Sequence, residues 1–242
     1  MRSRISLTIF ALGALAVLIG LGTWQMQRLA WKRDLIAKIE ARTTQTPLDL
    51  ADVLRRRQET GDIEYLPVRL EGTYQHERAR HVYALYAGKP AWHVYTPLKT
   101  GEGRYVFVNR GAVPDTVIAA GKALDIAPVG RVVVTGLVRQ PPATTSAFTP
   151  GNEPERNRFY WRDFTNMVAS IHDKTDVSFA PFFIDQAAPA NGSPAGWPRA
   201  GTTRVRLPNR HLEYAITWYG LALALAGVYG FFVLGRMRDE VE

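Results

Sequence analysis

His211 stands near the head of PNRHLEYAITWYGLALALAGVYGFFVLG, residues 208–235, where a charged, aromatic start runs into a long apolar tail. In a helix starting near Asn209, positions 211, 214, 215 and 218 share a face, which groups His211, Tyr214, Ala215 and Trp218. A second set closes another apolar run: Trp24, Arg28 and Trp31 share a face by the same spacing, with Gln25 beside it. An imidazole can give a nitrogen to iron, indole and phenol rings can flank a flat apolar ligand, and a guanidinium can pair with an acidic substituent. A haem satisfies that set, with Ala215 and Ala222 leaving room between two helices. A simpler arrangement satisfies it too: aromatic residues and cations at a membrane surface fix the depth of a span. Residue types and spacing fit both readings.

The elements that must position these residues are two uncharged runs, Ile5–Gln27 and Tyr214–Gly235. At about 1.5 Å per residue each helix reaches roughly 33–34 Å, against a hydrocarbon core of about 30 Å. Both are expected to cross a membrane, as spans 5–27 and 211–235. The first run ends in GTWQMQR, with bulky residues where a signal peptidase needs small ones, so an uncleaved anchor is expected. The spans then run antiparallel, and Trp24–Arg28 and His211–Trp218 emerge at the same membrane surface. Small residues, Gly13, Ala16 and Gly20 in one span and Gly220, Ala222 and Gly227 in the other, permit close helix packing. The formal net charge of +8 points to nucleic acid or anionic lipid. The two spans favour the lipid bilayer, and no nucleic-acid partner is expected. Charge counting does not orient the spans, because their inner and outer flanks are both basic.

Residues 28–210 read as one β-rich domain outside the membrane, in an α+β chain. The first helix continues past the membrane, since no breaker precedes Pro47. Leu48–Glu59 reads as a short amphipathic helix. Five segments rich in Val, Tyr and Phe follow, at 65–74, 80–87, 92–99, 104–111 and 131–140, and Ala180–Ala187 is a late strand. The turn signals AGKP, KTGEG and GAVPD separate them. RLEGTY and VVTGLV each carry a mid-strand Gly, which suggests sharp bends in a curled antiparallel or barrel-like sheet. Residues 141–157 read as a long loop, and WRDFTNMVASIHDK as a helix with Met167, Val168 and Ile171 on one face.

The sequence lacks a nucleophile elbow, a phosphate loop, an HExxH pair and a dinucleotide fingerprint, so no enzyme is expected. With no Cys, disulfides and thiolate metal sites are excluded. His81 and His93 fall in strand-like segments and read as ordinary packed or surface residues. His76 and His172 lie beside turns and read as solvent-facing.

Four stretches, LGTWQMQRLAWK, VNRGAVP, RFYWRDFTNM and PNRHLEYAITWYGLA, resemble the Surfeit locus protein 1 family of cytochrome c oxidase assembly factors. They occur in order and cover nearly the whole chain. The resemblance implies a non-enzymatic role in placing haem a into the large catalytic subunit of a haem–copper oxidase. It implies His211 as the axial and metal ligand. Trp24, Gln25 and Arg28 follow from the first motif, and Tyr214, Thr217 and Trp218 from the last. Expected partners are that catalytic subunit and haem A synthase. The expected place is a bacterial inner membrane, with cytoplasmic termini and a periplasmic domain; no transit-like leader precedes the first span. Ala112 stands where the family often has Trp, which weakens any functional role for that loop. The alternative of a different class is a membrane scaffold that stabilises an oxidase intermediate without binding haem.

Overall fold

The computed structural model describes residues 2–121, 128–171, 177–189, 196–202 and 209–239. His172 and residues 191–195 of the Asn191–Gly201 loop lie outside them. The chain divides into two compact units, Met1–Ile39 with Val205–Glu242, and Glu40–Arg204.

The first unit is a pair of long helices, α1 (Arg2–Thr43) and α5 (His211–Asp239). Both are long and apolar enough to cross a membrane, over Ile5–Thr43 and His211–Val233. α1 runs on past its apolar stretch as the sequence predicts and stops ahead of Pro47, which cannot continue a helix. Opposed contacts make the pair antiparallel: Thr23 meets Tyr219 at 3.2 Å, and Tyr229 donates to Thr8 at 2.7 Å. Buried or half-buried positions include Ala11, Leu15, Leu18, Gly22, Gln25 and Leu29 on α1, and His211, Ala215, Trp218, Ala222 and Leu225 on α5. They repeat in alternating steps of three and four. That is the spacing of a narrow two-helix seam. Gly22 lies under the Tyr219 ring, where a Cβ would stand 2.7 Å from a ring carbon.

The second unit holds the strands β1 (Pro67–Tyr74), β2 (Arg80–Tyr86), β3 (Lys89–Thr100), β4 (Tyr105–Pro114), β5 (Arg131–Arg139), β6 (Arg158–Phe159) and β7 (Phe179–Gln186). The order is β1-β5-β7-β4-β3, and β3 pairs back onto β1, so five strands close a barrel. All contacts in the ring are antiparallel except β4 with β7. β2 lies outside on β3, and β6 adds to β2.

Closure explains the two mid-strand glycines. Gly72 pairs with Val132 on one side and Thr100 on the other. Gly136 pairs with Val68 and Gln186. A Cβ on Gly72 would lie 2.4 Å from the Lys99 carbonyl oxygen, and one on Gly136 2.4 Å from that of Asp185. Both glycines stand where strands approach too closely for a side chain.

The barrel is filled by Leu66, Val68, Leu70, Leu98, Val106 and Ile184 among others. Burial of each such side chain contributes about 1.5–3 kcal/mol. The helix α2 (Leu50–Thr60) packs Leu50 and Val53 onto this core. Asp49 accepts from the Asp52 N–H to cap its start, and Gly61 ends it at φ 69°. A second cluster, Val82, Tyr95, Phe107, Phe159, Met167 and Phe183, lies on the other face of β3, β4 and β7.

Two expectations need correction. GAVPD is not a turn: β4 runs through Gly111 to Pro114. Gly111, at φ 121°, sits in a bulge where a Cβ would lie 1.7 Å from the Arg199 carbonyl oxygen. The helix expected over WRDFTNMVASIHDK covers only α4 (Phe164–Ala169), because Asp163 caps its start at the Asn166 N–H. A five-residue helix, α3 (Asp115–Ala119), follows β4.

Candidate functional site

His211 is the first residue of α5, and the Asn209 carboxamide accepts from its backbone N–H. Its side chain is half-buried in the helix seam. There His211 Nδ1 meets Gln25 Oε1 at 2.8 Å. Gln25 is itself buried at 9% exposure. An amide oxygen can only accept, so Nδ1 carries the hydrogen and the Nε2 lone pair is left for another partner. A carbonyl on one ring nitrogen fixes the tautomer and ring orientation that metal ligation by the other requires.

The other predicted residues divide. Trp218 shares the seam with His211. Trp24 and Tyr214 are about half exposed. Arg28 is exposed and lies over the Trp31 ring at 4.7 Å, with no carboxylate partner among the described residues. The face grouping Trp24, Arg28 and Trp31 therefore points out of the seam, and Gln25, beside that face, turns into it. Thr217 bonds back to the Glu213 carbonyl at 2.9 Å within its own helix. The room expected at Ala215 and Ala222 does not exist. They are 1% and 5% exposed because α1 packs directly on them. Small residues here close the seam rather than open it.

The barrel unit contains a polar constellation that sequence reasoning missed. Asp185, on the outer face of β7, accepts from Arg139 Nη1 and from Asn109 Nδ2, each at 2.8 Å. Arg139 also donates from Nε to Glu64 at 2.8 Å and lies over Tyr65 at 4.8 Å. Glu64 accepts the Gln140 backbone N–H at 2.6 Å as well. Asn109 Oδ1 accepts from Gly111 N–H at 3.0 Å, which ties the network to the β4 bulge. Burial alone would lower the Arg139 pKa, but the two carboxylates outweigh it and raise it. His93 is half-buried, between Asn109 at 3.4 Å and Thr202 at 3.3 Å. Burial pushes its pKa below the ordinary histidine value. The signals were N-R-G, whose Asn and Gly both serve the bulge, and a lone carboxylate inside the apolar strand FFIDQ.

No group of three or more His, Asp or Glu able to hold a metal ion occurs among the described residues.

A model of the SURF1 family matches residues 12–223. Surfeit locus protein 1 of Mus musculus is 35% identical over 226 residues, covering 86% of this chain and 70% of the relative. The Homo sapiens protein is 34% identical, covering 85% and 70%. A SURF1-like protein of Monosiga brevicollis is 32% identical, covering 89% and 83%. Matched across both helices and the barrel between them, the chain belongs to the SURF1 family.

Proposed function

We propose that this chain is a non-enzymatic assembly factor of cytochrome c oxidase that holds haem a for insertion into the large catalytic subunit. His211 is the axial ligand. The observation that carries the reading is the contact of buried Gln25 with half-buried His211 at 2.8 Å. A hydrogen-bonded polar pair in an apolar helix seam holds Nδ1 and leaves Nε2 as a donor for iron. Arg28, one turn from Gln25, supplies a cation for an acidic substituent. The exposed Trp24 and Tyr214 rings offer apolar surface. The seam is closed at Ala215 and Ala222, so a macrocycle would lie against the helix pair and not between its helices. When bound, the haem supplies the iron centre; the protein's part is to hold, orient and release it.

On this reading the chain lies in a bacterial inner membrane, with both termini cytoplasmic and the barrel periplasmic; its two helices long enough to span support that reading. The catalytic subunit is its partner, with haem A synthase as donor. The test is co-expression with a haem A source, purification, and a visible spectrum beside a His211→Ala variant. A haem spectrum in the wild type that the variant loses supports the ligand. Haem absent from the wild type, or retained equally by the variant, leaves only the scaffold reading.

A further inference from the structure

We propose that the cavity on the outer face of the barrel sheet binds a small organic carboxylate with a flat apolar body. Its volume is about 370 Å³, within the range of about 300–1,000 Å³ usual for small-ligand pockets. It crosses the sheet strand by strand, over Arg139 on β5, Asp185 on β7, Asn109 on β4 and Tyr95 on β3. Register aligns them: Asp185 stands beside Asn109, and Asn109 beside Tyr95. Asp185, Asn109 and Tyr95 are 5%, 3% and 2% exposed. A buried ion pair adds little net stability, because desolvation offsets the attraction. Under a cavity it holds polar groups in fixed positions.

Hydrogen bonding and charge give the sign of the ligand. Each Asp185 oxygen already accepts a bond, Oδ1 from Asn109 and Oδ2 from Arg139. Asn109 Oδ1 accepts from the Gly111 N–H, so its Nδ2 is the donor that faces His93 Nδ1 at 3.4 Å. Burial keeps the His93 pKa below the ordinary value, so the ring is neutral at about pH 7. A neutral ring that accepts at Nδ1 carries its hydrogen on Nε2. Nε2 therefore donates to Thr202 Oγ1 at 3.3 Å, and the Thr202 hydroxyl hydrogen is left for a further acceptor. Arg162 also borders the cavity. It lies over the Phe183 ring at 5.7 Å and has no carboxylate partner among the described residues. Of the charged groups bordering the cavity, Asp185 is paired with Arg139, which leaves the Arg162 charge unmatched. Glu64 holds Arg139 from Nε and does not border the cavity. Occupied acceptors, a free hydroxyl donor and an unmatched guanidinium suit a carboxylate, which a guanidinium can bind in a two-point fork.

The rest of the border gives the ligand its body. Val82, Tyr160 and Trp161 present apolar and aromatic surface. The Tyr160 ring packs against Tyr83 and Trp92, at 6.2 and 6.1 Å, and its hydroxyl donates to Glu153 at 3.3 Å. The Asn152 carboxamide oxygen accepts from the backbone N–H groups of Tyr160 and Trp161, at 2.7 and 3.4 Å. This wall is held in place by the protein itself, which lowers the ordering cost of binding. Flat rings pack well against such a wall. An inorganic anion would leave it unused.

The probe is naphthalene-2-carboxylate, titrated into the full chain in detergent and followed by calorimetry, with detergent alone as the blank. Controls are its neutral amide, acetate and inorganic phosphate. The expected result is saturable binding of the carboxylate, with each control at least about tenfold weaker. R162Q should weaken the carboxylate about tenfold or more, and T202V about three- to tenfold. Circular dichroism checks that both variants fold. Equal binding of the carboxylate and its amide by the wild type, or no saturable binding, overturns the proposal even if neither variant folds. Acetate or phosphate bound as tightly as the naphthalene carboxylate would assign the cavity to a ringless anion and overturn it. Loss of binding in R28Q, with R162Q unchanged, would place the carboxylate on the helix pair and overturn it too.

Discussion

Replacing Gln25 by Leu removes the acceptor on His211 Nδ1 while keeping a branched apolar side chain in the seam. At 2.8 Å this is a full hydrogen bond, and it is the contact that orients the imidazole. Loss of an outer partner of a metal-ligating His costs about 10–100-fold in affinity. That corresponds to roughly 1.4–2.8 kcal/mol. The helix pair itself should survive, because an interhelical hydrogen bond in a membrane is worth about 0.6 kcal/mol. Ala215 and Ala222 also remain packed against α1. The assay is a haem a titration of purified Q25L, wild type and H211A, followed by the visible spectrum. Q25L should bind with the wild-type spectrum at about 10–100-fold higher Kd. H211A should lose that spectrum. Q25E should bind at least as tightly as wild type, since a carboxylate is a stronger acceptor for Nδ1–H. Wild-type affinity in Q25L, with H211A still defective, would refute the orienting role of Gln25 and leave His211 as ligand. Unchanged binding in both variants would remove the iron site.

Further predictions concern the barrel. Asp185→Ala strands a nearly buried guanidinium, since the two side chains are 4% and 16% exposed. Glu64 keeps Arg139 partly paired, so the cost should fall at the low end of the 3–5 kcal/mol typical of broken buried pairs, about 3 kcal/mol. A thermal melt followed by circular dichroism should shift down by about 6–12 °C; a shift below about 2 °C would contradict the network's importance. Gly136→Ala should destabilise by about 1–3 kcal/mol or more, since its Cβ meets the Asp185 carbonyl. Gly151→Ala, with open space around it, should stay within about 0.5 kcal/mol when both variants are compared by urea titration. His81 and His93 both have folded-state pKa values lowered chiefly by burial. The unfolded chain therefore binds protons first, and stability present above about pH 6.5 is lost as the pH falls toward the folded values. His93→Gln should flatten that acid-side loss in melts taken across the window; an unchanged slope would exclude His93 as a contributor.

Much of the architecture is legible in the sequence because its causes are local. The two uncharged runs mark both long helices, and Val- and Tyr-rich alternation marks most strands within a few residues. The mid-strand glycines Gly72 and Gly136 point to bends, and the structure gives the reason: each is where a strand meets neighbours on both sides. GAVPD misleads because Gly and Pro favour turns in isolation. The close passage of Arg199 requires Gly111 inside a strand instead. The WRDFTNMVASIHDK helix is overcalled because its apolar spacing is decided by contact with Phe107 and Phe183, which needs only one turn and a half of helix.

The site divides along the same line. Spacing by itself puts His211, Tyr214 and Trp218 near one helix face, and it puts Trp24, Arg28 and Trp31 on another. It does not say which face turns inward. A rotation of about 100° per residue separates Trp24 from Gln25, and the packing of α1 on α5 selects Gln25. The Glu64–Arg139–Asp185–Asn109 network joins residues far apart in the chain. It exists only because β4 and β5 both flank β7. Hydrophobic periodicity and length determined the spans, the strands and the motifs, since these depend on neighbours within a few residues. Barrel closure and the Gln25–His211 pair were decided by the tertiary structure, since each depends on which distant segment lies alongside.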